Sequence, residues 1–361
     1  MQIDTPALDA SGLSRFHELR SAAVDAVTKR FQGDPGGPYA RFGQRGRDAC
    51  REDLSFHLEF LRPVLEFGLV QPMVEYLRWL ASVLATRGVP ADHLALSLDW
   101  LSEFFSAEME GSDATIVVSA LKGTKARFIE SHDAAPAFYA KMPTPFPECE
   151  AFEGALLAGD RRAASLLFDG RLEGGLGLLE AELRMIQPAL YAIGRKWQNN
   201  QVTVAQEHLA TAISQSLMIR GLSASEMQVS NGSRVLLAGV EGNRHSVGLQ
   251  MVADAFQLAG WDAQFLGADV PTSALLLQVG EWQPDLLALS VSFAQQLHVV
   301  KEITARLADS RGAGAPAVIV GGLAINQFDR LADALGADGW SPDAHSAVAC
   351  ASKFVVSARP G

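Results

Sequence analysis

The sequence is poor in cysteine and in positive charge. Its three cysteines, Cys50, Cys149 and Cys350, lie far apart and form no CxxC pair or Cys/His cluster, which argues against a zinc site and favours a reducing cytoplasm. Lys and Arg number 30 against 41 Asp and Glu, so the net charge of −11 argues against direct binding of nucleic acid.

Long apolar runs and an export signal are also missing. No stretch reaches about 18 apolar residues without charges, and the N-terminus lacks a basic region followed by an apolar one. We therefore expect a cytoplasmic chain that neither crosses a membrane nor is exported. With 361 residues, of which 48% are hydrophobic, the chain has enough apolar material for two or three globular domains.

The first two domains are predicted to be helical. Residues 1–145 repeat apolar residues at three- and four-residue spacing, for example over 50–67 and 72–87. Four prolines within 134–150 interrupt this pattern and predict a domain boundary. The helical period returns over 151–225, which is enough for a small bundle.

After Asn231 and Gly232 the pattern changes to strands alternating with helices. Four short apolar, β-branched runs, at 234–240, 264–266, 286–291 and 317–320, are separated by amphipathic stretches. Residues 232–358 are therefore predicted to form a doubly wound parallel sheet, a flavodoxin-like, Rossmann-like domain. Ligands of such sheets bind at the carboxyl ends of the strands.

The predicted strand ends carry one histidine and many small residues. His245 lies in the loop after the first strand, and Gly-x-Gly-x-x-Gly is absent there, which argues against a nucleotide phosphate site. A lone histidine in this place is also compatible with an ordinary helix start without a ligand. The residues that follow the four strands and that we regard as candidate site residues are Glu241, Asn243, Arg244, His245, Ser246, Gly248, Asp269, Val270, Ser290, Ser292, Gly321 and Gly322.

In their order and spacing these residues resemble a known family. The combination of His245-x-x-Gly248, LGADVP, Ser290-x-Ser292 and Gly321-Gly322 looks like the cobalamin-binding module of methionine synthase, mutases and light sensors. The resemblance covers 232–358 and implies that His245 replaces the dimethylbenzimidazole base as the lower ligand of cobalt. It also implies that the nucleotide tail passes the serines and the glycine pair.

One position departs from that family. An acidic residue commonly stands two positions before the histidine, where it accepts the other ring N–H, and this sequence has Asn243. An amide could accept the same hydrogen bond without charge. Glu241 is an alternative acceptor.

The predicted bundle carries a second resemblance. Trp197 is followed ten positions later by Glu207 and His208, a spacing similar to the Trp…Glu-His signature of the light-sensing cobalamin proteins, whose bundle caps the upper face of adenosylcobalamin. A core tryptophan and an unrelated polar pair are the alternative interpretation. In those repressors a histidine follows the tryptophan directly, whereas this chain has Gln198.

The order of domains is similar to that of the photocobilins, in which a helical domain binds a bilin beside the cobalamin. The resemblance implies biliverdin as a second chromophore in residues 1–145, held without a covalent bond to Cys50. His57, Arg51, Arg78 and Trp79 are candidates for propionate and pyrrole contacts, with Trp79 in the core and both arginines in solvent as the alternative.

These observations favour a non-enzymatic light sensor that uses adenosylcobalamin and signals through oligomerisation or a protein effector. We expect a homo-oligomer, and no catalytic set is visible in the sequence. The alternatives are a corrinoid carrier subunit of a methyltransferase system, which also joins a bundle to this module, and a doubly wound regulator that binds no cofactor.

Overall fold

The structure is a computed structural model that describes residues 5–33, 43–131, 143–309, 315–326 and 331–354. The described residues up to Ser131 form one compact unit, and those from Pro143 onward form a second. In the described part of the chain, no helix is both long and apolar enough to cross a membrane.

The first unit contains helices only, as far as the structure describes it. They are α1 (Ala10–Gln32), α2 (Gly43–Phe67), α3 (Val70–Ala85), α4 (Asp92–Glu108) and α5 (Gly111–Ser131). In α2, Leu54, Leu58, Leu61 and Leu65 recur every three or four residues and are at most 2% exposed. This stripe buries one face of the helix, which stabilises the helix mainly through packing.

The second unit begins with the predicted bundle. Its helices are α6 (Cys149–Ala158), α7 (Arg161–Glu173), α8 (Leu178–Ala181), α9 (Gln187–Gln198) and α10 (Val204–Ala224). A π-helical turn, Glu182–Ile186, joins α8 to α9. Such single π turns are rare and are often found at functional sites.

A five-stranded parallel sheet follows, in the order β2-β1-β3-β4-β5. The strands are β1 (Arg234–Gly239), β2 (Asp262–Phe265), β3 (Leu286–Ser290), β4 (Ala317–Gly321) and β5 (Gly339–Trp340). The doubly wound fold is confirmed. The fifth strand was not predicted, because two residues are too short for a recognisable strand pattern.

Helices α11 (Val247–Leu258), α12 (Thr272–Trp282), α13 (Leu297–Asp309), α14 (Leu323–Asn326), α15 (Leu331–Ala334) and α16 (Ala344–Ala351) surround the sheet. Helix α11 also contacts the bundle, since Met251 and Ala255 belong to the same buried apolar cluster as Leu178 and Met185. The bundle therefore packs directly on the helix that follows the His245 loop.

Candidate functional site

The loop between β1 and α11 is held by a fully buried asparagine. Asn243 has no exposed surface, and its Nδ2 donates to the Ser290 carbonyl at 2.8 Å. Its Oδ1 accepts the backbone N–H of His245 at 3.2 Å. The amide thus fixes the His245 backbone to the end of the neighbouring strand.

The His245 side chain lies at this edge, next to Phe293. It is exposed, its ring lies 5.2 Å from the Phe293 ring in an edge contact, and neither ring nitrogen is hydrogen-bonded to a described residue. Surrounding protein lowers the pKa of His245 by desolvation, and the nearby Glu207 carboxylate opposes this shift. The imidazole is therefore neutral near pH 7, the form that binds a metal.

Asn243 and Glu241, the two alternative acceptors for the ring N–H of His245, both accept backbone donors in this structure. The Asn243 oxygen accepts a backbone N–H of the loop instead of the ring N–H. Glu241 turns to the start of α12, where its Oε2 accepts the N–H of Thr272 at 3.1 Å. The ring is in edge contact with Phe293, and no described side chain is hydrogen-bonded to its nitrogens.

The end of β3 supplies two serines with unused hydroxyls. Ser290 and Ser292 are 8% and 6% exposed, and neither hydroxyl makes a hydrogen bond to the described residues. A hydroxyl on a nearly buried residue is normally bonded. Both hydroxyls are therefore free to bond a ligand at this edge of the sheet.

Two glycines at the same edge have opposite surroundings. Gly322 is packed against backbone, and Gly248 faces open space. Gly322 has φ +96°, and a Cβ there would lie 2.4 Å from the Val291 carbonyl oxygen, so only glycine fits. A Cβ on Gly248, in the first turn of α11, would meet nothing within 4 Å. The surface beside His245 is therefore free for a ligand.

The loops after β2 and β3 are tied to the His245 loop. Asp269, at φ +54°, accepts the N–H of Gly242 at 2.7 Å, and Val270 donates to the Gly239 carbonyl at 3.0 Å. Gln296, which the sequence argument missed, donates to the Gly242 carbonyl at 2.8 Å. Its position in the loop that follows a predicted strand was the available signal.

The remaining candidates at this edge have simpler positions. Gly321 pairs with Ser290 in the sheet, so the glycine pair and the serines adjoin. Arg244 is exposed, and Ser246 is half-buried. The structure thus brings all the strand-end candidates to one edge.

Glu207 of the bundle faces this edge. It lies in the first turn of α10, which Thr203 and Gln206 cap reciprocally, and its carboxylate is close enough to act on the pKa of His245. Its oxygens are bonded to Thr211 Oγ1 at 3.1 Å and to His208 Nδ1 at 2.6 Å. The His208 side chain itself is 74% exposed.

Trp197 and Gln198 end helix α9 and are both half-buried. The turn that follows is closed by Asn200 N–H bonding to the Trp197 carbonyl at 3.0 Å, after which Thr203 starts α10. Trp197 therefore lies at the same end of the bundle as Glu207.

A further bundle residue, Gln215, was not predicted. Its Nε2 lies 3.3 Å from Ser246 Oγ and 3.4 Å from Gln250 Oε1. It stands on α10 eight residues after Glu207, at the helical spacing that keeps side chains on one face. That face of α10 is turned to the His245 loop and α11.

The bilin candidates in the first unit have mixed environments. His57 is 1% exposed, and its Nδ1 lies 3.0 Å from the hydroxyl of Tyr76. Its Nε2 is buried without a partner among the described residues, and burial lowers the pKa of His57 to about 4. Arg51 is half-exposed and paired with Asp25.

Arg78 and Trp79 extend this region, and Cys50 lies on the same helix as His57. Arg78 is buried and bonded to Glu75 at 2.8 Å, so its charge is already compensated. Trp79 is half-buried, 6.2 Å from the Tyr76 ring. Burial raises the pKa of the Cys50 thiol to about 12, which leaves it unreactive at neutral pH.

Comparison with known families describes both parts of the second unit. Residues 233–349 match a family model described as a B12 binding domain, and residues 148–220 match a second model with the same description. The two models cover the sheet domain and the bundle.

The chain is similar to proteins of two kinds. It is 24% identical over 205 residues to a corrinoid protein of Desulfitobacterium hafniense, covering 56% of this chain and 94% of that one. It is 33% identical over 138 residues to the HTH-type transcriptional repressor CarA of Myxococcus xanthus, covering 38% of this chain and 46% of that one. The match thus spans less than half of the repressor.

Among solved structures, the chain is similar to the monomethylamine corrinoid protein of Methanosarcina barkeri. The identity is 17%, the TM-score is 0.47, and the match covers 55% of this chain and 94% of that one. The family models and the corrinoid relatives support a cobalamin cofactor for this chain.

Proposed function

We propose that this chain is a light sensor that binds adenosylcobalamin, with His245 as the lower ligand of cobalt. The observation that carries the proposal is the contact of helix α10 with the His245 loop through Gln215 and Ser246, with Trp197 and Glu207 together at one end of the bundle. A ligand held by His245 would therefore lie beneath the bundle residues that resemble the light-sensor signature.

The described residues fit a cobalamin in three respects. His245 presents a neutral ring with both nitrogens unbonded, Gly248 leaves open space beside it, and two nearly buried serines have unused hydroxyls. Ser290, Ser292 and the Gly321-Gly322 pair would hold the nucleotide tail. When bound, adenosylcobalamin supplies a cobalt–carbon bond that visible light breaks.

The protein's part is to hold the bundle over the site and to let it repack. Gln215 and the apolar contacts of Met251 and Ala255 join the bundle to the loop and helix that carry His245. Loss of the adenosyl group above His245 would alter these contacts. The bundle would then shift from one arrangement to another, because the ligand stabilises the two arrangements unequally. The output would be a changed oligomeric state or a changed affinity for an effector protein.

The test is the absorbance of the purified chain with adenosylcobalamin, before and after green light. We expect a bound spectrum that changes on illumination, and His245→Ala should weaken binding and remove the features of histidine ligation. A variant that binds with an unchanged spectrum would show that His245 is not the ligand.

The N-terminal unit is proposed to bind biliverdin as a second chromophore. Support comes from His57 Nε2, a buried polar atom without a described partner, beside the stacked rings of Phe60 and Tyr76. We expect a red-absorbing complex when biliverdin is added. Because the Cys50 thiol is buried and protonated, the pigment should be held without a covalent bond and should be released on denaturation. An unchanged biliverdin spectrum at micromolar protein would leave this unit with an oligomerisation or partner-binding role.

A corrinoid carrier is the second candidate, favoured by the similarity to a corrinoid protein along 94% of its length. A carrier would bind cobalamin and accept a methyl group without a lasting response to green light. A chain that binds no corrin at all would point to the third possibility, a regulator without a cofactor.

A further inference from the structure

Two carboxyl groups meet inside the contact between the bundle and α11. Glu182, the first residue of the π turn, has no exposed surface, and Asp254 on α11 is 3% exposed. The pair is embedded near Ala181, Met185, Met251 and Ala255, which are all buried apolar residues.

The two groups cannot both be ionised without a large cost. Both Glu182 oxygens and Asp254 Oδ2 are buried with no donor from the described residues. Two carboxylates only accept hydrogen bonds, so they cannot satisfy each other. A proton on Glu182 removes the conflict, because the acid then donates to Asp254.

Burial and the partner carboxyl account for the behaviour of the pair. Burial first, and then Asp254, raises the pKa of Glu182, while burial raises the pKa of Asp254. The titratable and charged groups on the elements packed around the pair are Cys149, Glu150, Glu153, Glu180, Arg184, Tyr191, Arg195, Lys196, Glu207, His208, Arg220, Arg234, Asp262, His345 and Cys350. None of them is a cause of either shift.

Several of these groups are paired with residues other than Glu182 and Asp254. Glu153 pairs with Lys196, and Glu180 lies 2.7 Å from the His345 ring. No cation therefore replaces the proton in the part of the chain that the structure describes.

We propose that Glu182 and Asp254 share one proton, and that this proton fastens the bundle to α11. The π turn leads directly into α9, which carries Trp197 in its last turn, and α11 begins directly after the His245 loop. The pair thus joins the two elements that carry the proposed upper and lower sides of the site. Loss of the proton would place two charges in an apolar contact and loosen the bundle.

The contact between the bundle and α11 is present in the protein without cofactor. Its test therefore does not depend on the proposed function. Glu182 binds its proton in the folded state at pH values where an unfolded glutamate has lost it. The stability that this proton contributes should therefore be complete below the ordinary glutamate pKa and should be lost as the pH rises towards the raised folded pKa. One such proton increases the unfolding equilibrium constant about tenfold per pH unit.

The experiment compares the pH dependence of unfolding, by circular dichroism in urea, for the full chain and Glu182→Gln between about pH 7 and pH 9. The glutamine amide donates to Asp254 without titrating, so the variant should lose most of the wild-type slope. Glu180→Gln, the same chemical change two residues earlier on an exposed side chain, should keep it. Equal slopes in wild type and Glu182→Gln would overturn the shared proton.

Hydrogen exchange locates the effect. After correction for intrinsic rates, amides of 183–186 and 251–255 should exchange faster at pH 9 than at pH 7 in wild type but not in Glu182→Gln. A slope that disappears without this local change would overturn the fastening role. If Glu182→Gln does not fold, Asp254→Asn replaces it, since its amide gives an ionised Glu182 a donor and should also reduce the slope.

Discussion

Replacing Asn243 by aspartate tests how the His245 loop is held. The substitution restores the acid that the cobalamin-binding family commonly has there, yet this structure uses the amide as a donor. Asn243→Asp would lose the Nδ2 donor to the Ser290 carbonyl and place a carboxylate beside that oxygen, at a site without exposed surface. The backbone N–H of His245 would still be accepted by the remaining oxygen.

The expected cost follows from these contacts. A lost buried hydrogen bond costs about 1 kcal/mol, and a buried charge whose environment is unfavourable adds about 2 kcal/mol. We therefore expect Asn243→Asp to reduce the free energy of unfolding by about 3 kcal/mol near neutral pH, a fall in Tm of about 6–12 °C for a unit of this size.

The pH dependence separates the lost donor from a general packing defect. Burial would raise the folded pKa of the new aspartate above its unfolded value, so its protonated form is favoured in the folded state. The protonated acid can donate to Ser290, and the difference from wild type should shrink towards about pH 5 and reach its full size near pH 8.

Asn231 offers a matched control in the same unit. It also accepts a backbone N–H two residues later, from Ser233 at 2.9 Å, and donates to a carbonyl, but it is exposed. Asn231→Asp should therefore change stability by less than about 0.5 kcal/mol at any of these pH values. Thermal unfolding of the protein without cofactor measures both variants. The assigned donor role would be refuted if the two variants were equally stable. It would also be refuted if the loss of stability in Asn243→Asp relative to wild type were the same at every pH.

Three other substitutions test the site itself. Gly322→Ala should destabilise the fold by about 2–4 kcal/mol, since its φ is positive and its Cβ would overlap Val291, whereas Gly248→Ala should leave thermal stability unchanged or slightly higher and weaken cobalamin binding in a titration. Unimpaired binding by Gly248→Ala would exclude this surface from the site. Because a glutamine amide is a poor cobalt ligand, the wild-type photoproduct should lack the absorption of two histidine ligands, and Gln198→His should introduce it. Wild-type absorption that already shows two histidines would instead indicate His208 or another imidazole.

The sequence by itself determined the arrangement of elements within the sheet domain. Apolar runs of strand length between amphipathic helices allow few topologies, because parallel crossovers are right-handed and ligand loops meet at the carboxyl edge. His245, Ser290, Ser292 and the Gly321-Gly322 pair were predicted at that edge, and the strands place them there.

Tertiary structure alone decided how those residues are used. Asn243 and Glu241 are both chemically able to accept the ring N–H of His245, and only the fold shows that each is bonded to a backbone donor instead. Glu182 and Asp254 are 72 positions apart in the sequence and look like ordinary surface carboxylates there. Periodicity reports which face of a helix is buried, but the partner that faces a buried polar group comes from distant parts of the chain, so the packing of the bundle on α11 had to be seen before the pair could be recognised.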